Sequence, residues 1–439
     1  MVGGRMRKHI RLLHILMNGI LIGELEKTKT GGLQFTYDQK WLTQPSARPI
    51  SLSLPLLTKK FSGDIVYNFF DNLLPDNQRI RSRIQAQFHA PTDQPFDLLA
   101  SIGKDCVGAI QIVDPEINEA SHQMFYRSLT EKEIATILRN TQNYPLGMSS
   151  EMDDFRISIA GAQEKSAFLY WKNVWNRPLK TTPTTHIFKL PIGYIEHQQL
   201  DLHDSCENEW LCSQIAEAFG LSTAKCEIKY FEDVKVLIVE RFDRKLSSDK
   251  SWIMRLPQED MCQALGVSPN LKYQADGGPG INDIMKLLLG SAEANNDRNY
   301  FFRSQVLFWF LAAIDGHAKN FSIYLEPEGK YRLTPLYDII SAFPLIANKQ
   351  LQAKKIKMAM ALKGKNNHYH WFEMQRRYFL EAGQNANYSK IIAEQILDDM
   401  LKKIDYVIET VSSKLPNNFP DKISDPIFEG LIFAKNKLT

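Results

Sequence analysis

Cysteine is scarce in this chain. Its 439 residues include five, Cys106, Cys206, Cys212, Cys226 and Cys262, an odd count without a Cys-x-x-Cys pair. That fits neither a disulfide framework nor a zinc knuckle, and it predicts buried thiols. Long apolar runs are lacking too. The longest strongly apolar stretch, Val306 to Ile314, has nine residues, about half of the ~20 that a membrane helix needs. No early basic segment leads into an apolar stretch with a small-residue cleavage site, so the expectation is a soluble, cytoplasmic protein with no membrane partner. The formal net charge of +3 says little about partners. What is present is 44% hydrophobic residues, enough for a large core divided at this length among two or three domains.

One stretch lacks acidic residues altogether. Between Asp338 and Glu373 there is no carboxylate, while Lys349, Lys354, Lys355, Lys357, Lys363 and Lys365 are all present. The positive field there suits nucleic-acid phosphates, and it equally suits a solvated charged face. Alternation from Lys355 to Leu362 predicts a strand with the lysines on one face and the other face covered.

The most informative residues follow the apolar run Val306 to Ile314, which is expected to be a buried helix. They are Asp315-Gly-His-Ala-Lys-Asn320, with a further Asp338 in Leu336-Tyr-Asp-Ile339. Phosphoryl transfer from ATP needs one carboxylate to take the proton of the attacking hydroxyl. It also needs an amide and a second carboxylate to hold magnesium. An Asp, an Asn five residues on and a later Asp is the spacing protein kinases use. Asp-Gly and Lys-Asn also suit an ordinary helix-to-strand turn. The following strand, turn and strand, Phe321 to Leu325, Glu326 to Lys330 and Tyr331 to Pro335, would return Asp338 toward Asp315.

The N-terminal part reads as a small α+β unit. Leu12 to Met17 and Ile20 to Leu25 form a hairpin around Asn18-Gly19. Ile50 to Leu56 alternates as a strand would, Asp64 to Leu74 has helical periodicity, and Gln94-Pro95 starts a second helix. Asp114 to Gln123 is a polar linker or surface loop. The second region opens with Phe155 to Trp171, read as strand, tight turn at Gly161, strand. That shape can lay backbone N–H groups over phosphates, although a plain hairpin has the same pattern. This turn matches neither the Gly-x-Gly-x-x-Gly nor the Gly-x-x-x-x-Gly-Lys-Ser/Thr loop.

In His186-Ile-Phe-Lys189-Leu-Pro191 a lysine interrupts an apolar strand, so it faces solvent or a buried anion. A lysine there, 28 residues after the glycine turn, is placed to contact ATP. Asp204 to Gly220 is a helix with Asp204 and Glu207 as a capping box. Glu209 is free to pair with Lys189 or to face water. Val234 to Arg244 is a buried strand ending in charge and a candidate hinge. Arg255 to Asp260 opens a helical region, and Asp276 to Gly280 is a turn.

Seven segments in this order resemble the HipA family. They are Ser158 to Lys165, His186 to Pro191, Glu207-Asn-Glu209, Glu240-Arg-Phe-Asp-Arg244, Arg255 to Asp260, Asp276 to Gly280 and Asp315 to Asn320. Tyr67 to Pro75 and Pro95 to Leu99 resemble the family's N-terminal subdomain, so the likeness covers nearly the whole chain. It implies an α+β architecture: a two-lobed protein-kinase-like fold with an N-terminal α+β subdomain (1–147), then a kinase core and a mostly helical C-terminal lobe (148–439). The implied activity is that of a non-specific serine/threonine protein kinase using ATP and Mg2+. It would be the toxin of a type II toxin–antitoxin pair that phosphorylates a protein, in the family's best-known case glutamyl-tRNA synthetase. A HipB-like helix-turn-helix antitoxin would neutralise it, and operator DNA would be bound through their repressing complex, where the six lysines are placed to contact DNA.

By the same resemblance Asp315 is the catalytic base, His317 supports its loop, and Asn320 and Asp338 hold magnesium. Ala160, Gly161, Ala162, Gln163 and Lys165 cover the phosphates, Lys189 contacts them, and Glu240 and Phe242 mark the adenine hinge. Ser158 matches the family's autophosphorylated serine, and Gly193 to Asp204 its activation segment. Two departures occur: Tyr337-Asp338-Ile339 stands for Asp-Phe-Gly, and Ser166 for an expected threonine. Neither removes a required chemical group. A catalytically silent nucleotide-binding co-repressor and a small-molecule phosphotransferase are the alternatives.

Overall fold

The computed structural model describes residues 10–116, 122–141, 145–148, 157–160 and 163–439. The hairpin forms as expected. Strands β1 (Leu12–Met17) and β2 (Ile20–Lys27) meet at Asn18 (φ +48°) and Gly19 (φ +80°), the two left-handed positions a tight hairpin turn requires. With β3 (Leu33–Tyr37), β4 (Lys60–Ser62) and β5 (Ile110–Val113) they make an antiparallel sheet of order β4-β3-β2-β1-β5. Its inner face, including Leu13, Ile15, Leu25 and Phe35, packs with Phe69, Phe70, Leu98 and Leu99. Phe69 and Phe70 lie on α2 (Asp64–Asp71) and Leu98 and Leu99 on α4 (Pro95–Ile102), the helices on either side of α3 (Gln78–Phe88); all three follow the short α1 (Gln39–Leu42).

Ile50 to Leu56 is not a strand. Its backbone is taken up by side chains instead: Ile50 N–H donates to the Tyr37 hydroxyl, which donates to Leu54 O, and Leu52 N–H donates to Glu259 Oε1. Burial does not follow the alternation, since Ser51 is buried and Leu52 half-buried, and Ser51 and Ser53 both donate to Gln263 O. Helix α3 was not anticipated, because its apolar residues Ile80, Ile84 and Phe88 form a thin stripe between polar neighbours.

The second sheet has the order β12-β13-β9-β7-β8-β6. Its strands are β6 (Tyr126–Ser128), β7 (Lys165–Trp171), β8 (Val174–Pro178), β9 (His186–Lys189), β12 (Cys226–Phe231) and β13 (Val234–Glu240). Residues 126–139, comprising β6 and α5 (Glu131–Arg139), belong to this sheet and its core with Phe168, Phe188 and Ile238. A boundary at 147 therefore falls behind elements that pack with the second region. Of the expected Phe155 to Trp171 hairpin, Ile157 to Ala160 forms no strand, and 155, 156, 161 and 162 lie outside the described residues.

A small hairpin, β10 (Gly193–Ile195) with β11 (Leu200–Leu202), leads into α6 (Ser205–Ala218). Asp204 makes no side-chain cap there, so the expected capping box is absent. Lys235 draws both acids away, its Nζ 2.7 Å from Glu207 and 3.7 Å from Asp204, and Lys422 also pairs with Asp204. Arg255 to Asp260 leads into the helical region as expected, but is itself mainly strand up to the cap. It spans the end of β15 (Ile253–Arg255), whose partner is β14 (Arg244–Leu246), and β16 (Gln258–Asp260), after which Asp260 and Gln263 cap α7 (Met261–Ala264). After the turn at Gly277 (φ +95°) come α8 (Ile281–Leu287) and α9 (Ala294–Phe310). The apolar run thus starts inside α9 and leaves it at Phe310, with Leu311 to Ile314 forming the approach to Asp315. Strands β17 (Ser322–Leu325) and β18 (Tyr331–Leu333) form the anticipated hairpin, extended by β16.

The remainder is mainly helical: α10 (Phe343–Ala347), α11 (Arg376–Asn385), α12 (Lys390–Ser412) and α13 (Asp421–Leu438), with one hairpin, β19 (Lys357–Lys363) and β20 (Asn367–His370). Strand β19 is buried on both faces from Ala359 to Leu362, so its lysines sit at the two ends and not along one face. The α+β division into sheet-rich N-terminal parts and a helical C-terminal lobe matches the expectation. All five cysteines are free, and Cys226 alone is half-buried. Among the described residues no helix is long and apolar enough to cross a membrane.

Candidate active site

Strand β9 lies between β13 and β7, which carries Lys189 into the interior and not to an edge. Its Nζ stands 2.7 Å from Glu209 Oε1 on α6 and 2.8 Å from Asp338 Oδ1. Burial alone would lower the lysine; the carboxylates of Asp338 and Glu209 outweigh it and hold the ammonium charged. Burial also pushes Asp338 upward, but Lys189 and then Lys165 bring it down to about 2. Of the two roles open to Glu209, the ion pair is the one formed, and the side chain is buried.

Asp338 adopts φ +61°, a left-handed conformation uncommon for a non-glycine residue and found where surrounding structure enforces it. Tyr337 supplies part of that enforcement, its hydroxyl donating to Lys319 O at 2.7 Å and sharing a 2.5 Å hydrogen bond with Ser322. Asn320 Nδ2 donates to Asp338 O at 3.4 Å, while its buried Oδ1 has no hydrogen-bond partner among the described residues. An orphaned amide oxygen beside a carboxylate is a donor set that suits a hard divalent cation.

Asp315 is exposed, and Tyr273 donates its hydroxyl to Oδ1 at 2.6 Å. His317 is buried with its ring edge-on to Tyr273 at 5.0 Å; burial keeps the imidazole below its ordinary pKa, and Nδ1 has no hydrogen-bond partner among the described residues. Gly316 is required by space, since a Cβ there would lie 2.4 Å from the Phe308 ring.

Lys165 on β7 pairs in register with Lys189 and donates to Ala160 O at 2.6 Å. Burial first, and the Lys189 charge second, push it down to about 8. Gln163 donates to Leu190 O at 2.5 Å, whereas Gly161 and Ala162 lie outside the described residues. Glu240 ends β13 exposed, and the half-buried Phe242 ring lies 5.6 Å from Tyr337 and 5.9 Å from Tyr324. Ser158 is fully buried, its hydroxyl donating to Leu73 O at 2.8 Å. Lys349, Lys354, Lys355, Lys357, Lys363 and Lys365 are all exposed. Sequence reasoning missed Tyr273, which lies 42 residues before Asp315 in no recognisable motif.

Residues 157–408 match the HipA-like C-terminal domain family, and 13–113 match the HipA N-terminal domain family. The chain belongs to the HipA family. A Sinorhizobium fredii protein provisionally named as the kinase Y4mE is 33% identical, across 77% of this chain and 80% of that one. The serine/threonine-protein kinase toxin HipA of Shewanella oneidensis is 28% identical, across 75% of each. The fold is that of HipA as solved in the Shewanella oneidensis complex of HipA, HipB and operator DNA, with a TM-score of 0.80 at 22% identity over 97% of both chains. Lys189, Glu209, Asn320 and Asp338 all fall within the residues that match the HipA-like C-terminal domain.

Proposed function

We propose that this HipA-family protein is an ATP- and Mg2+-dependent serine/threonine protein kinase, the toxin of a type II toxin–antitoxin pair. The observation that carries the reading is the Lys189 ammonium held between Glu209 and Asp338 beside the orphaned Asn320 oxygen. A phosphoryl-transfer site needs a fixed cation for the phosphates, two oxygen ligands for metal and an accessible base. Lys189 is the first, Asn320 and Asp338 are the second, and the exposed Asp315 is the third. Bound magnesium would neutralise charge on the β- and γ-phosphates. Asp315 takes the proton as the substrate hydroxyl oxygen bonds to the γ-phosphorus and the bond to ADP breaks. Glu240 and Phe242 are the proposed adenine-facing residues of the hinge.

The substrate is a protein hydroxyl, with glutamyl-tRNA synthetase the candidate from family resemblance. The neutralising partner is a HipB-like helix-turn-helix antitoxin in the cytoplasm, the pair co-repressing its operon; HipA of Shewanella oneidensis is found with HipB and operator DNA. The exposed lysines from Lys349 to Lys365 are the proposed DNA-facing groups. Replacing all six with glutamine is expected to flatten the salt dependence of operator binding by the antitoxin complex, by about 0.9 in the log–log slope for each phosphate no longer neutralised. An unchanged slope removes DNA from their role.

Ser158 is the proposed site of self-inactivation. Its hydroxyl occupies a sealed position against Leu73 O, so it reaches Asp315 only when its loop leaves. A phosphate of about −1.5 to −2 charges cannot return to that site. The test is incubation of the purified protein with ATP and Mg2+, beside Asp315→Asn, with phosphate mapped by mass spectrometry. Phosphate on Ser158 in the parent only is expected. No phosphate despite measurable ATP binding would favour a silent co-repressor or a small-molecule phosphotransferase.

A further inference from the structure

The turn between α2 and α3 belongs to the N-terminal subdomain, yet it touches three parts of the candidate active site. Asn72 accepts from Lys319 Nζ through both its backbone oxygen, at 3.2 Å, and Oδ1, at 2.8 Å. Asp76 pairs with Lys272 Nζ at 2.9 Å and with Lys319 Nζ at 3.5 Å. Leu73 O accepts from Ser158. Lys319 immediately precedes Asn320 and is buried, with Asp260 Oδ2 at 3.3 Å on its other side. Lys272 immediately precedes Tyr273, the residue bonded to Asp315, and its carbonyl accepts from Ala318 N at 3.3 Å.

From this arrangement, which rests on the kinase reading above, we infer that Asn72 and Asp76 are positioning residues. Asp76 ties together the two lysines that flank the base-orienting Tyr273 and the metal-binding Asn320, and Asn72 fixes the second lysine's reach. The N-terminal subdomain thereby completes the catalytic loop and does not merely adjoin it. Because Ser158 is seated on Leu73, between Asn72 and Asp76, the phosphate-covering segment and the catalytic loop share one anchor. Asp76→Asn keeps the shape and removes the charge that both lysines face. A loop shifted by about 1 Å can cost about 100-fold in rate.

The test pairs kinetics with amide hydrogen exchange on full-length Asp76→Asn, with Asp76→Glu as the charge-preserving control. The expected result is kcat lower by about 10-fold to 100-fold with the KM for ATP nearly unchanged, faster exchange confined to residues 315–321 and the turn, and recovery of most of kcat in Asp76→Glu. Exchange over 315–321 at the parent's rate overturns the inference. So does a fall in kcat matched by an equal loss of folded protein in both variants. Absence of phosphoryl transfer in the parent would overturn the kinase reading instead, and the exchange comparison would still decide the coupling.

Discussion

Asp315→Asn is expected to lower phosphoryl transfer by about 10²–10⁴-fold, the usual cost of losing a general base, while leaving ATP binding and folding close to the parent's. The expectation follows from where Asp315 stands. It is exposed, no cation among the described residues forms an ion pair with it, and its side chain is met by Tyr273, whose hydroxyl can donate to an amide oxygen as it does to Oδ1. The groups proposed to hold ATP and metal, the buried Lys189 and Asn320 and the half-buried Asp338, are joined to one another without it. The variant should thus bind ATP and Mg2+ and stall at the chemical step, so single-turnover rates under saturating ATP are the measurement. A rate within a few-fold of the parent's would remove Asp315 from the role of base. A rate loss accompanied by equal loss of ATP affinity would mean that it holds the nucleotide.

Which parts of this site were legible in the sequence is a matter of distance along the chain. Asp315, His317 and Asn320 fall within six residues, and the roles proposed for them rest on that spacing. Lys189 and Glu209 are 20 residues apart on a strand and the following helix, near enough for their pairing to be foreseen as one of two outcomes. Lys319 and Asn72 are 247 residues apart, and nothing in either segment names the other. The hairpin at Asn18-Gly19 was legible because positive φ angles demand those residue types. Ile50 to Leu56 misled because its alternation of residue types does not match its burial, Ser51 being buried, and its backbone is satisfied by Tyr37 and Glu259 in place of a neighbouring strand. The Asp204 capping box misled for a related reason: a local motif lost its acids to Lys235, a partner on another strand.

Removing Asp105 is expected to be the most destabilising single change away from the catalytic groups. Asp105 comes from the N-terminal subdomain, between α4 and β5, and is fully buried among three arginines of the second region. Arg244 lies 2.9 Å away, Arg255 3.0 Å and Arg241 3.4 Å, and Thr184 donates through both its N–H and its hydroxyl. Asp243 is the other buried acid facing these arginines, and it is shared with Gly108 N–H. Five ionised side chains thus meet out of water with one excess positive charge, and Asp105→Ala raises that excess to two. Breaking a buried pair from one side typically costs about 3–5 kcal/mol, a large share of the roughly 5–15 kcal/mol that holds a domain folded. The measurement is urea unfolding of Asp105→Ala and Asp105→Asn, and a midpoint equal to the parent's would refute the expectation. The pH dependence has a definite sign. Burial pushes the Asp105 carboxyl up, but Arg244, Arg255 and Arg241 together hold it well below the usual carboxylate range. Its contribution is therefore complete above its unfolded pKa of about 3.9 and is lost as pH falls through that value toward the depressed native one. Acid should destabilise the parent more steeply than Asp105→Asn, since the variant has already lost the carboxylate that must be protonated. Because Asp105 O also accepts from Ser158 N, the same residue that joins the two regions electrostatically holds one end of the segment on which Ser158 rides.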